Sequence, residues 1–155
     1  NLPYNVSTPL LFHLLAQRQA IRDMHFMLQR EVVDRMAARP GARPYGRLSV
    51  MTQASCHVEA LFRVAPGAFR PPPAVDSAVV RLVPLTDPPV PPTLEPLFAD
   101  VVRMAFAARR KTLRRSLRPL LRPEAFARAG IDAGRRPETL GVKDFVALAR
   151  QLERT

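Results

Sequence analysis

Two runs decide the fold of this chain: His57-Val58-Glu59-Ala60-Leu61-Phe62-Arg63-Val64 and Ser77-Ala78-Val79-Val80-Arg81-Leu82-Val83. The first alternates, with Val58, Ala60, Phe62 and Val64 expected on one face. The second is rich enough in β-branched residues to form a further strand. Between them Pro66-Gly67 and Pro71-Pro72-Pro73 enclose a loop that carries Phe69. Each proline fixes its own φ and restrains the residue before it, so the connection is stiff. Residues 57–83 therefore read as two strands joined by a rigid loop.

Toward the N-terminus, Met24-His25-Phe26-Met27-Leu28 is short, apolar and set between helical patterns. It is expected to be a strand buried on both faces of a mainly parallel sheet. Before it, a capping Ser7 or Thr8 precedes Pro9, and Leu10, Leu11, Leu14 and Leu15 supply a stripe, predicting a helix over about 8–19. After it, Glu31, Val32, Val33, Met36 and Ala37 predict a helix stopped by Pro40-Gly41, and residues 47–55 a third beyond Tyr45-Gly46. Strands interleaved with helices place this portion in the α/β class.

Six prolines fall between Pro84 and Pro96, a density that neither a helix nor a central strand absorbs. The expected organisation is one domain over 1–84, a proline-rich linker over 85–96 and a small helical domain over 97–155. Helical patterns begin at the end of the linker and run over about 94–107, 110–118, 123–129 and 143–153. The last of them puts Phe145, Leu148, Ala149 and Leu152 on one side.

The chain has 24 Lys+Arg against 13 Asp+Glu, a formal charge of +11. That balance favours a phosphate-rich partner, nucleic acid ahead of an acidic membrane surface. Cys56 is the one cysteine, so no intrachain disulfide is possible and a reducing compartment is expected, the thiol buried and idle. His13, His25 and His57 have no carboxylate or cysteine at ligand spacing, and no metal is expected. Neither a transmembrane-length apolar run nor a signal peptide is present, which predicts a cytoplasmic protein. There is no glycine-rich phosphate loop, and His13 and Asp23 lack a serine partner, which speaks against a hydrolase. Glu31 and Asp34 beside Arg30 and Arg35 read as surface pairs, and Arg47 could face a ligand or RNA, with a structural ion pair the favoured reading. The chain lacks an initiating Met and opens directly on Asn1, so it is expected to be a piece of a longer protein.

Three features carry chemistry. Asn1-Leu2-Pro3-Tyr4, placed in a loop at a strand end, offers two acceptors, the Asn1 side-chain oxygen and the Leu2 carbonyl, for the two N–H bonds of an adenine amino group. That nitrogen is a poor nucleophile because its lone pair is delocalised into the ring. Pro3 would fix the turn and Tyr4 stack on the base; a polar turn with a packed tyrosine is the plainer alternative. Phe69, restrained by its prolines, could supply the opposite face of a stacking clamp, or cover a seam. Arg109-Arg110-Lys111 opens a run with Arg114, Arg115, Arg118 and Arg122 and no acidic residue between 109 and 122. On a helix, Lys111, Arg114, Arg115 and Arg118 span an arc of about 100°, with Leu113, Leu117, Leu120 and Leu121 on another face. Cations in a first helical turn oppose the helix dipole, a cost that a phosphate bound there would relieve. RNA contact is the favoured reading over a merely solvated face.

These segments together resemble the KsgA-type family of small-subunit rRNA adenine dimethyltransferases. Asn1 through Pro9 looks like its catalytic loop, and Met27 through Val33 with Tyr45 through Val50 like the strand and helices that follow. Phe69 through Leu82 resembles a further signature, and Phe106 through Leu117 the family's rRNA-binding segment. Four motifs in order cover nearly the whole chain. The resemblance implies the C-terminal part of a Rossmann-like class I methyltransferase sheet, including an antiparallel edge, followed by a small all-α domain. It implies dimethylation of two adjacent adenines with S-adenosyl-L-methionine, on rRNA of an immature ribosomal subunit, by a protein expected to be monomeric. The resemblance then implies that Asn1 and Leu2 hold the amine and help enclose the cofactor, that Tyr4 and Phe69 contact the base, and that Arg109, Arg110 and Lys111 engage rRNA; Pro3 as the residue that shapes the loop, and Arg114, Arg115 and Arg118 as further RNA contacts, are expected from the residues themselves. The family's N-terminal half, with most of the cofactor site, is absent, so residues 1–155 alone are expected to be inactive and prone to aggregate along a cut sheet. A related methyltransferase of large-subunit rRNA and a non-catalytic rRNA-binding assembly factor are the alternatives.

Overall fold

The computed structural model describes residues 1–3, 7–108 and 110–153, positions 7 and 8 by backbone alone. Three strands, β1 (Met24–Gln29), β2 (Cys56–Val64) and β3 (Ser77–Pro84), form one sheet in the order β1-β3-β2. Both ladders are antiparallel. The reversed strand expected at the edge is thus the middle one, with β1 and β2 running the same way on either side of it. The connectivity explains this: the short rigid loop from β2 lets β3 return beside it, whereas the path from β1 to β2 crosses through two helices and leaves a gap that β3 fills.

Ala78, Val80 and Leu82 of β3 point to one face and are buried. Opposite them stand Leu28, Phe26 and Met24 of β1 and, from β2, Ala60 against Val80 and Val58 against Leu82. Leu11 and Leu15 of α1 (Ser7–Ala16) and Val33 and Met36 of α2 (Arg30–Ala37) join this face in one apolar cluster with Cys56. β1 is buried on that face only, since His25 is exposed, which corrects the expectation of burial on both sides.

The uniform alternation read in β2 fails at Leu61. Ala60 lies opposite Val80 and Phe62 opposite Val79, leaving Leu61 as an extra residue. Neighbouring residues of β3 point to opposite faces, so this one-residue bulge sends Phe62 away from Val58 and Ala60. Phe62 is accordingly 59% exposed.

A second core lies among the helices α4 (Glu95–Phe106), α5 (Leu113–Ser116), α6 (Pro123–Arg128) and α7 (Val142–Leu152). Phe98, Val101, Val102 and Ala105 of α4 pack with Phe145, Leu148 and Ala149 of α7, and with Leu113, Leu117, Phe126 and Leu140. This core reaches back across the prolines to take in Tyr45, together with Val50 and Ala54 in and just after α3 (Arg47–Gln53). Val90 and Leu94 of the proline-rich segment are buried in it as well.

Tyr45 closes that core. Its ring stands 6.3 Å from Phe106, which is 5.7 Å from Phe145. Its hydroxyl donates to the Leu140 carbonyl at 2.7 Å. Burial, and secondarily the Asp144 carboxylate, push its pKa from 10.0 up to about 12. A group with a raised folded pKa contributes stability that is complete below its unfolded pKa and lost as pH climbs through the folded one. Tyr45→Phe should therefore cost about 1 kcal/mol of stability near neutrality, and thermal melts should show its deficit against the parent chain shrinking as pH rises from 10 toward 12.

Candidate active site

The register of the sheet brings three chain ends together. Ser77, the first residue of β3, lies opposite both Gln29 at the end of β1 and Val64 at the end of β2. The loop carrying Phe69 therefore emerges at the end of the sheet where β1 finishes. Along β1, the Leu2 N–H donates to the Met27 carbonyl at 3.4 Å, which sets residues 1–3 beside the same strand. The consequence is a groove of about 300 Å³ lined by Asn1, Leu2, Pro3, Phe69, Pro71 and Pro73.

Four of the five residues expected to act on a base, Asn1, Leu2, Pro3 and Phe69, thus share one groove although the chain separates them widely. Tyr4 lies outside the described residues, as does Arg109. Phe69 follows the turn Pro66–Ala68, and its N–H donates to the Pro66 carbonyl at 3.1 Å. It is half-buried, whereas Asn1 and Pro3 are exposed. Among the described residues no titratable side chain lines the groove; they offer an amide, backbone carbonyls and apolar walls. Such a lining can accept the N–H bonds of a neutral amine and cover an aromatic ring, and it holds no side chain suited to general-base or nucleophilic catalysis.

One contact of the Phe69 loop was not visible in the sequence. The Arg30 N–H donates to the Asp76 carbonyl at 2.9 Å, and the Arg30 guanidinium lies 3.6 Å from the Asp76 carboxylate and 3.5 Å from that of Asp34. The Asp34 pair follows from helical spacing, but the Asp76 pair crosses between segments far apart in the chain.

The basic segment differs from expectation in its backbone. The helix predicted over 110–118 is confined to Leu113–Ser116, so Arg110 and Lys111 precede it. Its first two amides are already satisfied: Leu113 N–H donates to the Arg135 carbonyl and Arg114 N–H to that of Ala133, both at 2.9 Å. These two amides are therefore not open to a phosphate, and of the cations expected in the first helical turn Arg114 and Arg115 lie within the helix. The separation of faces holds. Leu113, Leu117 and Leu121 are buried while Arg110, Lys111, Arg114, Arg115, Arg118 and Arg122 are exposed. Among the described residues none of these six cations has an ion-pair partner, so the ridge carries uncompensated charge. Arg47, expected in a structural ion pair, also has none; it lines a larger groove of about 730 Å³ with Arg35, Tyr45 and Phe106.

Cys56 is buried, and burial raises its thiol to about 11 with Arg18 opposing the shift, so it is a packing residue and not a nucleophile. Among the described residues no helix is long and apolar enough to cross a membrane.

The chain matches the family described as "Ribosomal RNA adenine dimethylase" over residues 1–153. It is 58% identical over 152 residues to "Ribosomal RNA small subunit methyltransferase A" of Pseudomonas aeruginosa, covering 98% of the chain and 57% of that protein. The protein of the same description from Chromohalobacter salexigens is 57% identical over 155 residues, covering 100% of the chain and 55% of the relative. The chain thus spans a little over half the length of these curated relatives. In fold it is similar to a dimethyladenosine transferase from Plasmodium falciparum, with a TM-score of 0.84 and 24% identity over 99% of this chain and 65% of that one. It is also similar to the 23S rRNA methyltransferase ErmE, with a TM-score of 0.71 and 22% identity over 98% of this chain and 63% of that one. The match of the family model to residues 1–153 shows that the chain belongs to the ribosomal RNA adenine dimethylase family.

Proposed function

We propose that this chain is part of an enzyme that transfers methyl groups from S-adenosyl-L-methionine to the amino nitrogens of two adjacent adenines in small-subunit rRNA, within an immature ribosomal subunit. The observation that carries this reading is the groove shared by Asn1, Leu2, Pro3 and Phe69. Residues 1–84 act as the C-terminal part of the catalytic domain, 85–96 as the linker and 97–155 as the helical unit that docks rRNA. The protein works as a cytoplasmic monomer.

In the proposed reaction the Asn1 side-chain oxygen and the Leu2 carbonyl accept the two N–H bonds of the adenine amine and aim its nitrogen along the line of attack. Pro3 holds the turn, and Tyr4 and Phe69 take the faces of the extruded ring. Extrusion forfeits a few kcal/mol of stacking in the nucleic acid, and an aromatic wall returns about 1–3 kcal/mol. Forming the C–N bond as the methyl–sulfur bond breaks would leave the nitrogen cationic, and its proton would then pass to water, so no strong base is required of the groove. The lining of amide, carbonyl and apolar walls fits the methyl-bearing end of S-adenosyl-L-methionine, with Asn1 and Leu2 the residues of this chain that would hold it. When bound, that cofactor supplies an electrophilic methyl group. The remainder of its site is assigned to the part of the relatives' length that this chain does not span, and residues 1–155 alone are inactive on this reading.

Arg109, Arg110, Lys111, Arg114, Arg115 and Arg118 are proposed to contact rRNA phosphates. In support, the five of these that are described are exposed and without acidic partners among the described residues.

Two outcomes are expected of the full-length protein. Asn1→Ala should lower methyl incorporation into small subunits by about 10²-fold; unchanged incorporation would remove Asn1 from the mechanism. Changing Arg114 and Arg115 together to Gln should make the dependence of log affinity for rRNA on log salt concentration shallower, by about 0.7–0.9 for each phosphate that is no longer neutralised. An unchanged slope would leave the ridge as a solvated face.

A further inference from the structure

We infer that Arg30, with Asp76 as its partner, is a positioning residue that sets the Phe69 wall of the groove against Asn1, an inference that rests on the reading of that groove as a base site. Arg30 is the first residue of α2, and Gln29 before it provides no side-chain cap. A cation there opposes the helix dipole, so the placement asks for a compensating reason. Two carboxylates supply it, Asp34 from the next turn of the same helix and Asp76 from the end of the Phe69 loop. The loop also caps the helix, because the orphan N–H of Arg30 donates to the Asp76 carbonyl at 2.9 Å.

Both walls of the groove are thereby referred to β1 and its extension: residues 1–3 through the Leu2 to Met27 hydrogen bond, and the Phe69 loop through Arg30. Between Asp76 and Phe69 the chain runs through Pro71-Pro72-Pro73, whose fixed φ angles carry a displacement at one end to the other. The guanidinium contacts are long, 3.5 and 3.6 Å, and Arg30 Nε is buried without a hydrogen-bond partner among the described residues. The buried Nε faces Asp34 of its own helix, whereas Nη1 stands 3.6 Å from the Asp76 carboxylate and can tighten on it when the loop closes on a ring, as polar contacts around active sites commonly do once substrate is bound.

The test is a double-mutant cycle on the full-length protein, with methylation of small subunits measured as KM and kcat. Phe69→Ala should raise KM about tenfold or more. Arg30→Gln, and equally Asp76→Asn, should raise it about two- to fivefold, with kcat unchanged. In a Phe69→Ala background, either change should add nothing further, because the group it positions is gone. Effects that multiply in full, or single variants at Arg30 and Asp76 with the parental KM, overturn the positioning role while leaving the groove intact. A parental KM for Phe69→Ala overturns the base-site reading itself. Should Arg30→Gln fail to fold, the Asp76→Asn arm carries the same cycle.

Discussion

The rest of the structure depends on the placement of β3 between two strands that both run against it. Its hydrogen bonds build both ladders of the sheet, and its Ala78, Val80 and Leu82 form the floor on which α1 and α2 pack. Because Ser77 is opposite both Gln29 and Val64, the same strand aligns the end of β1 with the end of β2. The Phe69 loop is then delivered beside the segment that Leu2 fastens to Met27. Scaffold and site are one consequence of that register. Shifting β3 by one residue would turn its apolar side chains outward and move the loop relative to Asn1.

Much of this was legible in residues 57–83, because β-branched composition and proline placement are local signals that act through steric restriction. The sharing of a groove by Asn1 and Phe69 was legible only through the order of motifs, since no local pattern brings two loops together. Leu61 shows where local reading ends. Nothing about an alternating apolar run marks which residue will be bulged, and the register is decided by pairing with β3. The short α5 teaches the same lesson from another side. Its sequence supports a longer helix, but its first amides find acceptors at Ala133 and Arg135, and that tertiary choice sets where the helix begins. Likewise nothing local to Tyr45 shows that its hydroxyl reaches the Leu140 carbonyl.

Charge and packing divide the work along the basic segment. Leu113, Leu117 and Leu121 anchor it in the helical core, and the cations between them are held on the surface. Arranging like charges without acidic neighbours costs self-repulsion, and a polyanion relieves it. The groove has the opposite character, small, free of titratable side chains among the described residues and walled by proline and phenylalanine. On the proposed reading, a ridge to grip phosphate and a groove to accept a neutral base are complementary demands of one nucleic-acid substrate.

The most direct measurement is a structure of the full-length protein bound to an rRNA fragment containing the two adenines. One adenine is expected to be turned out of its stack, its amino nitrogen about 3 Å from both the Asn1 side-chain oxygen and the Leu2 carbonyl, with its ring against Phe69. An adenine still stacked in the RNA, or held away from Asn1 and Phe69 while methylation proceeds, would contradict it.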